Sequence, residues 1–233
     1  GVIKMEVLRN FDPENNFLQK VRNLASLKGI VLIFDECTSG FRETYGGIFK
    51  KFDVIPDMTI FSKTMGNGYA ITAVVGKKSV MEAAQKTFIS STFWTERIGP
   101  TAALKALETM KEIESWKIIT KKGEKMRAGW LKLAEENNLQ IAISGIPALS
   151  TYVFKSKHAI AYKTFITQEM LKKGFLASTN FYASITHTDE YFDNYFNALN
   201  KIYHVIDKCE QGIININNLL EGPVCHVGFQ RLN

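Results

Sequence analysis

The stretch Gly29-Ile30-Val31-Leu32-Ile33-Phe34-Asp35 sets the fold class. A short run that is apolar at every position suits a strand buried within a sheet whose faces are covered, as in α/β proteins. The carboxylate at its carboxyl end then points toward the crevice where α/β sheets bind ligands. Twenty-eight positions on, Lys63 follows a second short apolar run, Met58-Thr59-Ile60-Phe61, and precedes Gly66 and Gly68. Glycines there are expected to let backbone come close to a ligand. An amine held at such a point suits nucleophilic attack on a carbonyl.

The flanking sequence fits the same reading. Asp12-Pro13 has the form of a helix start, with Asp as N-cap and Pro at the first helical position. Phe17, Val21, Leu24 and Lys28 follow at helical spacing up to Gly29. Thr38 to Lys51 reads as loop with some local structure. Ile71 to Val75 reads as a strand and Ser79 to Lys86 as a helix, so the sheet is expected to be mostly parallel or mixed. Two long helices are predicted next, one from Pro100 through Met110 and one over Lys117 to Asn137. Beyond them, Leu139 to Ile143, Leu149 to Phe154 and Phe175 to Ser178 read as strands and Ala159 to Lys173 as a helix. A final helix capped by Thr188 carries an apolar stripe from Phe192 to Ile206. The tail after Gly222 carries no assignment.

Composition narrows the function classes. The chain has 233 residues, of which 45% are hydrophobic, enough for one large or two small cores. No apolar run reaches the roughly 18 residues of a membrane helix, and no signal segment opens the chain. Cys37, Cys209 and Cys225 are few and scattered, which points to a reducing, cytoplasmic setting and away from a disulfide framework. The net charge of +6 comes from 29 basic and 23 acidic side chains, with the basic ones dispersed in pairs such as Lys50-Lys51 and Lys121-Lys122. No basic stripe interleaved with aromatics marks a nucleic-acid surface. His158, His187, His204 and His226 share no metal-ligand spacing, so no metal is expected.

An ordered set of motifs carries a family resemblance. Val2-Ile-Lys-Met-Glu6, Leu32-Ile-Phe-Asp-Glu-Cys-Thr-Ser-Gly-Phe-Arg42, Pro56-Asp57, Ser62-Lys-Thr-Met-Gly-Asn-Gly68 and Ser91-Thr-Phe93 together resemble the class III aminotransferases. Within them the glutamate-1-semialdehyde aminomutase-like branch looks similar. The resemblance runs from about Val2 to Met110 and implies pyridoxal phosphate (PLP) as cofactor on the fold type I scaffold. On this basis residues 1–116 are expected to be the C-terminal part of the PLP-binding large domain, 117–138 a connecting long helix, and 139–233 a small α+β domain.

The resemblance also assigns roles. Lys63 matches the lysine that forms the Schiff base with PLP and then moves a proton between substrate and cofactor carbons. Asp35 matches the acid that keeps the pyridine nitrogen protonated, which makes the ring an electron sink. Cys37 and Thr38 stand where many members have a Val on the ring face and a polar residue near the ring hydroxyl. Thr92 matches a threonine that binds the cofactor phosphate across a subunit interface, which implies a homodimer with shared active sites; Ser91 is a second possible donor. Glu6 suits a structural ion pair, with Val7 where the family has Pro. Arg42 suits either a substrate carboxylate or structural contacts. Lys77 and Lys78 are expected to face solvent.

The family's amino-terminal half carries a glycine-rich phosphate loop and an aromatic that stacks on the ring. Neither has a match here, and the chain starts at Gly1 without Met, so it is expected to be the carboxy-terminal half of such an enzyme. The expected activity is amino-group transfer or aminomutation between an amine and a carbonyl. A non-catalytic dimerising fragment and a cofactor-free Schiff-base lyase using Lys63 are the alternatives.

Overall fold

The computed structural model describes residues 1–8, 10–90, 92–93, 95–226 and 228. It divides into two compact units, Gly1–Thr120 and Lys121–Asn233.

The first unit is built on a four-stranded mixed sheet. Its strands β1 (Val2–Met5), β2 (Val31–Asp35), β3 (Met58–Phe61) and β4 (Ala73–Gly76) lie side by side in chain order. The first three are parallel and β4 runs antiparallel to β3. Leu32 and Phe34 are fully buried on one face of β2, whereas Val31, Ile33 and Asp35 on the other face are half-buried. The run that is apolar throughout in sequence therefore has unequal faces, and Asp35 belongs to the more open one.

Helix α1 (Phe17–Leu27) makes the crossover between β1 and β2 and buries Leu18 and Ala25. It begins later than the Asp12-Pro13 signal predicts. Asn15 and Asn16 take left-handed φ values of 52° and 55°, which a continuing right-handed helix excludes. Helix α2 (Lys78–Met81) is a single turn continued as 3-10 helix over Glu82–Lys86. Helix α3 (Ile98–Ile113) brings Ala103 and Met110 against Phe41, Phe61 and Met65, the core of this unit beside its sheet.

Helix α4 (Ser115–Glu136) leads into the second unit. There an antiparallel sheet of β5 (Ile141–Ser144), β6 (Leu149–Phe154) and β7 (Asn180–Tyr182) joins α5 (Ala159–Lys172) and α6 (Asp189–Glu210). Trp130, Tyr152, Tyr162, Ile166, Met170, Leu199, Tyr203 and Ile206 form the fully buried centre of its core. Inside it the Trp130 indole donates to the Tyr195 hydroxyl at 3.0 Å, which satisfies a polar group that burial would otherwise penalise. Thr188 caps α6 by accepting from the Tyr191 amide.

The strand expected over Phe175 to Ser178 is absent, and β7 lies further on. Phe175 and Ala177 pack against the core instead. Pairing starts where Thr179 accepts a hydrogen bond from the Tyr152 amide. Among the described residues no helix is long and apolar enough to cross a membrane.

Candidate active site

The parallel pairing of β2 with β3 builds the site. Asp35 is the register partner of Ile60, and the chain continues from both along the same sheet edge. Thr38 stands three residues beyond Asp35, and Lys63 three beyond Ile60. The two side chains meet there: Lys63 Nζ donates to Thr38 Oγ1 at 2.6 Å. Lys63 opens a 3-10 turn, Lys63–Met65, with φ of 39°. A lysine held in the left-handed region carries local strain of the kind that concentrates at functional positions.

Gly66 and Gly68 serve this turn more directly than the sequence suggests. A Cβ on Gly66 would stand 2.3 Å from the Tyr69 carbonyl oxygen, so the chain's own return demands glycine there. Gly68 takes φ of 102° with open space around it.

Asp35 has a donor on each oxygen. The Cys37 amide donates to Oδ1 at 3.2 Å, and the Lys4 ammonium, from β1, lies 2.9 Å from Oδ2. The hydrogen bond from Lys4 holds the Asp35 carboxyl below the usual carboxylate range, with burial opposing it and the Cys37 amide assisting. Burial pushes the Cys37 thiol up, and the neighbouring carboxylate adds to the effect. Cys37 is thus a protonated, half-buried side chain at neutral pH, suited to packing.

Two supports of this edge, Glu36 and Asp57, were given no role from sequence, and a third, Arg42, was read as either a substrate contact or a structural one. Glu36 is fully buried and accepts from Ser39 Oγ at 2.8 Å and from the Ile48 and Phe49 amides at 2.8 and 3.1 Å. It pins the loop after Asp35 to the 3-10 turn Ile48–Phe52. Arg42 Nε donates to the Thr38 carbonyl at 2.8 Å, so its contact with the loop is structural. Asp57 joins Arg22, Lys77 and the Leu32 amide, each at 2.8 or 2.9 Å. Lys77 is exposed as expected, yet it is an ion-pair partner. The Asp-Glu doublet and the Pro-Asp turn were the available signals; the partners become visible only through sheet register.

Of the remaining sequence candidates, Glu6 stands near enough to the Lys4 ammonium to favour its charge. Thr92 is exposed, as is Glu6, and Ser91 lies outside the described residues. No group of three or more metal-ligating side chains occurs among the described residues. A cavity of about 780 Å³ in the second unit is lined largely by apolar groups, including Phe175, Phe181, Phe192 and Tyr195, and none of Lys63, Thr38, Asp35 or Cys37 lines it.

The description Aminotransferase class-III belongs to a family model that matches residues 10–203. The chain belongs to the class III aminotransferases. Among curated relatives of this class III chain, a 3-aminobutyryl-CoA aminotransferase from Cloacimonas acidaminovorans (strain Evry) is 38% identical over 184 residues, covering 76% of the chain and 44% of that protein. A glutamate-1-semialdehyde 2,1-aminomutase from Sulfurihydrogenibium sp. (strain YO3AOP1) is 27% identical over 205 residues, covering 82% and 48%. The chain spans about half the length of the curated relatives it matches.

Solved structures place the class III chain on the fold type I scaffold. The FumI protein of Sphingopyxis sp. MTA144, solved in its PLP internal aldimine form, superposes with a TM-score of 0.82 at 19% identity, over 94% of this chain and 55% of that one. An omega-transaminase from Sphaerobacter thermophilus gives 0.74 at 22% identity, over 83% and 48%.

Proposed function

We propose that this chain supplies the reactive lysine and the ring-nitrogen acid of a PLP-dependent aminotransferase or aminomutase. The observation that carries the reading is the meeting of Lys63 and Thr38 at the sheet edge where Asp35 ends the adjacent parallel strand. The donor chemistry fits the cofactor: a primary amine for an aldehyde carbon and an ionised carboxylate for a protonated ring nitrogen. When bound, PLP supplies that aldehyde and an electron-withdrawing ring.

The chain's own groups divide the work. Asp35 holds the proton on the ring nitrogen, and its low pKa keeps it anionic across the neutral range. Thr38 Oγ1 accepts from Lys63 Nζ and so fixes where the amine waits. With PLP and substrate in place, Lys63 Nζ would be the base that takes a proton from the substrate carbon and returns it to the acceptor carbon. Cys37 would pack near the ring, and Thr92 would donate to the phosphate from the opposite subunit of a homodimer. Small-molecule amines and carbonyl compounds are the substrates, a reading supported by the names of both curated relatives. In this reading residues 1–116 belong to the cofactor-binding domain, 117–138 to a connecting helix and 139–233 to the small domain. The three free cysteines support a cytoplasmic setting.

The test is cofactor trapping. PLP added to the purified protein should give an absorbance band that borohydride reduction fixes, and peptide mapping should place the mark on Lys63. Lys63→Ala should abolish both; a mark on another lysine would overturn the assignment.

A further inference from the structure

We propose that Lys4 sets cofactor affinity by competing with the PLP ring nitrogen for the carboxylate of Asp35. The inference rests on the PLP reading above and concerns a residue to which that reading gives no dealing with the cofactor. In β1 Lys4 pairs in register with Ile33, which shares a face of β2 with Asp35, so strand alternation sends the Lys4 side chain to the Asp35 face. There its ammonium lies 2.9 Å from Asp35 Oδ2. The Cys37 amide uses Oδ1 and the Lys4 ammonium Oδ2, so a ring N–H meets a donor at either oxygen, and at Oδ2 that donor is a cation on a movable side chain.

Two cations on one carboxylate repel each other, and each takes part of the anionic field the other needs. The Lys4 side chain is 54% exposed on a flexible stem, so it can withdraw into water when the ring arrives, at the cost of its ion pair. Its other charged or titratable neighbours are Cys37 and Glu6, and neither displaces it from Asp35. Lys4 interrupts an otherwise apolar strand, Val2-Ile3 before it and Met5 after it, where an apolar side chain would complete the pattern. The contact with Asp35 gives the charge at that point a partner.

The experiment is a PLP titration of cofactor-stripped protein, followed by absorbance, with Lys4→Met, Lys4→Gln and Lys4→Arg beside the wild type. Removing the charge should tighten PLP binding about threefold to tenfold in both neutral variants, as befits a half-exposed ion pair. Lys4→Arg should stay within about twofold of wild type. The gap should shrink in high salt, because screening weakens exposed charge pairs. A lysine that merely braces the strands would change unfolding midpoints and leave these affinities alone. Unchanged or weaker PLP binding in both neutral variants, with Lys63 still marked by borohydride, would overturn the role of Lys4 alone. No saturable PLP signal and no mark on Lys63 in the wild type would overturn the cofactor reading and this inference together.

Discussion

Asp35 sits between a strand end and a loop, and both contribute to its state. The Cys37 amide that follows it and the Lys4 ammonium from the neighbouring strand stabilise its anion against partial burial. In the proposed enzyme this anion has one task, to keep a proton on the ring nitrogen. Asp35→Ala should therefore lower turnover by about 10²- to 10⁴-fold, the range of a lost acid-base partner, while the borohydride mark on Lys63 persists. Steady-state kinetics and peptide mapping check the two halves separately. Turnover within tenfold of wild type would remove Asp35 from the mechanism. That Asp35 and Lys63 stand at the ends of neighbouring strands was legible in sequence, because Asp35 closes one apolar run and Lys63 follows another, each with loop signals after it. Lys4 was not, because 31 positions separate it from Asp35 and only the β1–β2 register brings them together.

Among the elements, the site edge depends on how firmly α1, β2 and the start of β3 are tied, and Asp57 ties them. Burial pushes its carboxyl up, but the Leu32 amide, Lys77 and Arg22 outweigh that and bring it down to about 2. A folded-state pKa below the unfolded value of 3.8 gives stability that is fully present above pH 3.8 and is lost as pH falls through 2. The gap corresponds to about 2 kcal/mol. Asp57→Asn should lower urea stability at pH 7 by about that amount and flatten the wild-type loss between pH 4 and pH 2. An unchanged acid slope in the variant would assign that loss to other carboxylates. Element types were legible wherever a local pattern and its packing agree: α3, α4, α5 and α6 all lie where helical spacing puts them. The failures arose where local signals met longer-range demands. Asp12-Pro13 has good cap chemistry, yet the left-handed pair Asn15-Asn16 postpones α1. Phe175 to Ser178 has strand composition, but the register of Leu149 with Tyr182 fixes the third strand further on.

At the scale of the whole molecule, the proposed site needs a group that the contacts around Lys63 do not include, a donor for the cofactor phosphate. Thr92 is the candidate, and its surroundings favour a position against another subunit. Phe88 is 96% exposed, Phe93 72% and Ile89 59%, a run of large apolar groups that gains about 25 cal/mol for each Å² it buries. If a homodimer covers this segment, two substitutions separate its two roles. Thr92→Ala removes a phosphate donor and leaves the apolar contact, so PLP binding should weaken by about 1 to 3 kcal/mol while sedimentation still reports a dimer. Phe88→Lys places a charge in the contact, so the dimer should dissociate and PLP affinity should fall with it, since Thr92 would no longer reach the opposite subunit. Affinity that follows protein concentration in the Phe88→Lys variant would tie the phosphate donor to assembly. A monomeric wild type that holds PLP, or a dimer unmoved by Phe88→Lys, would take both Thr92 and this segment out of the interface.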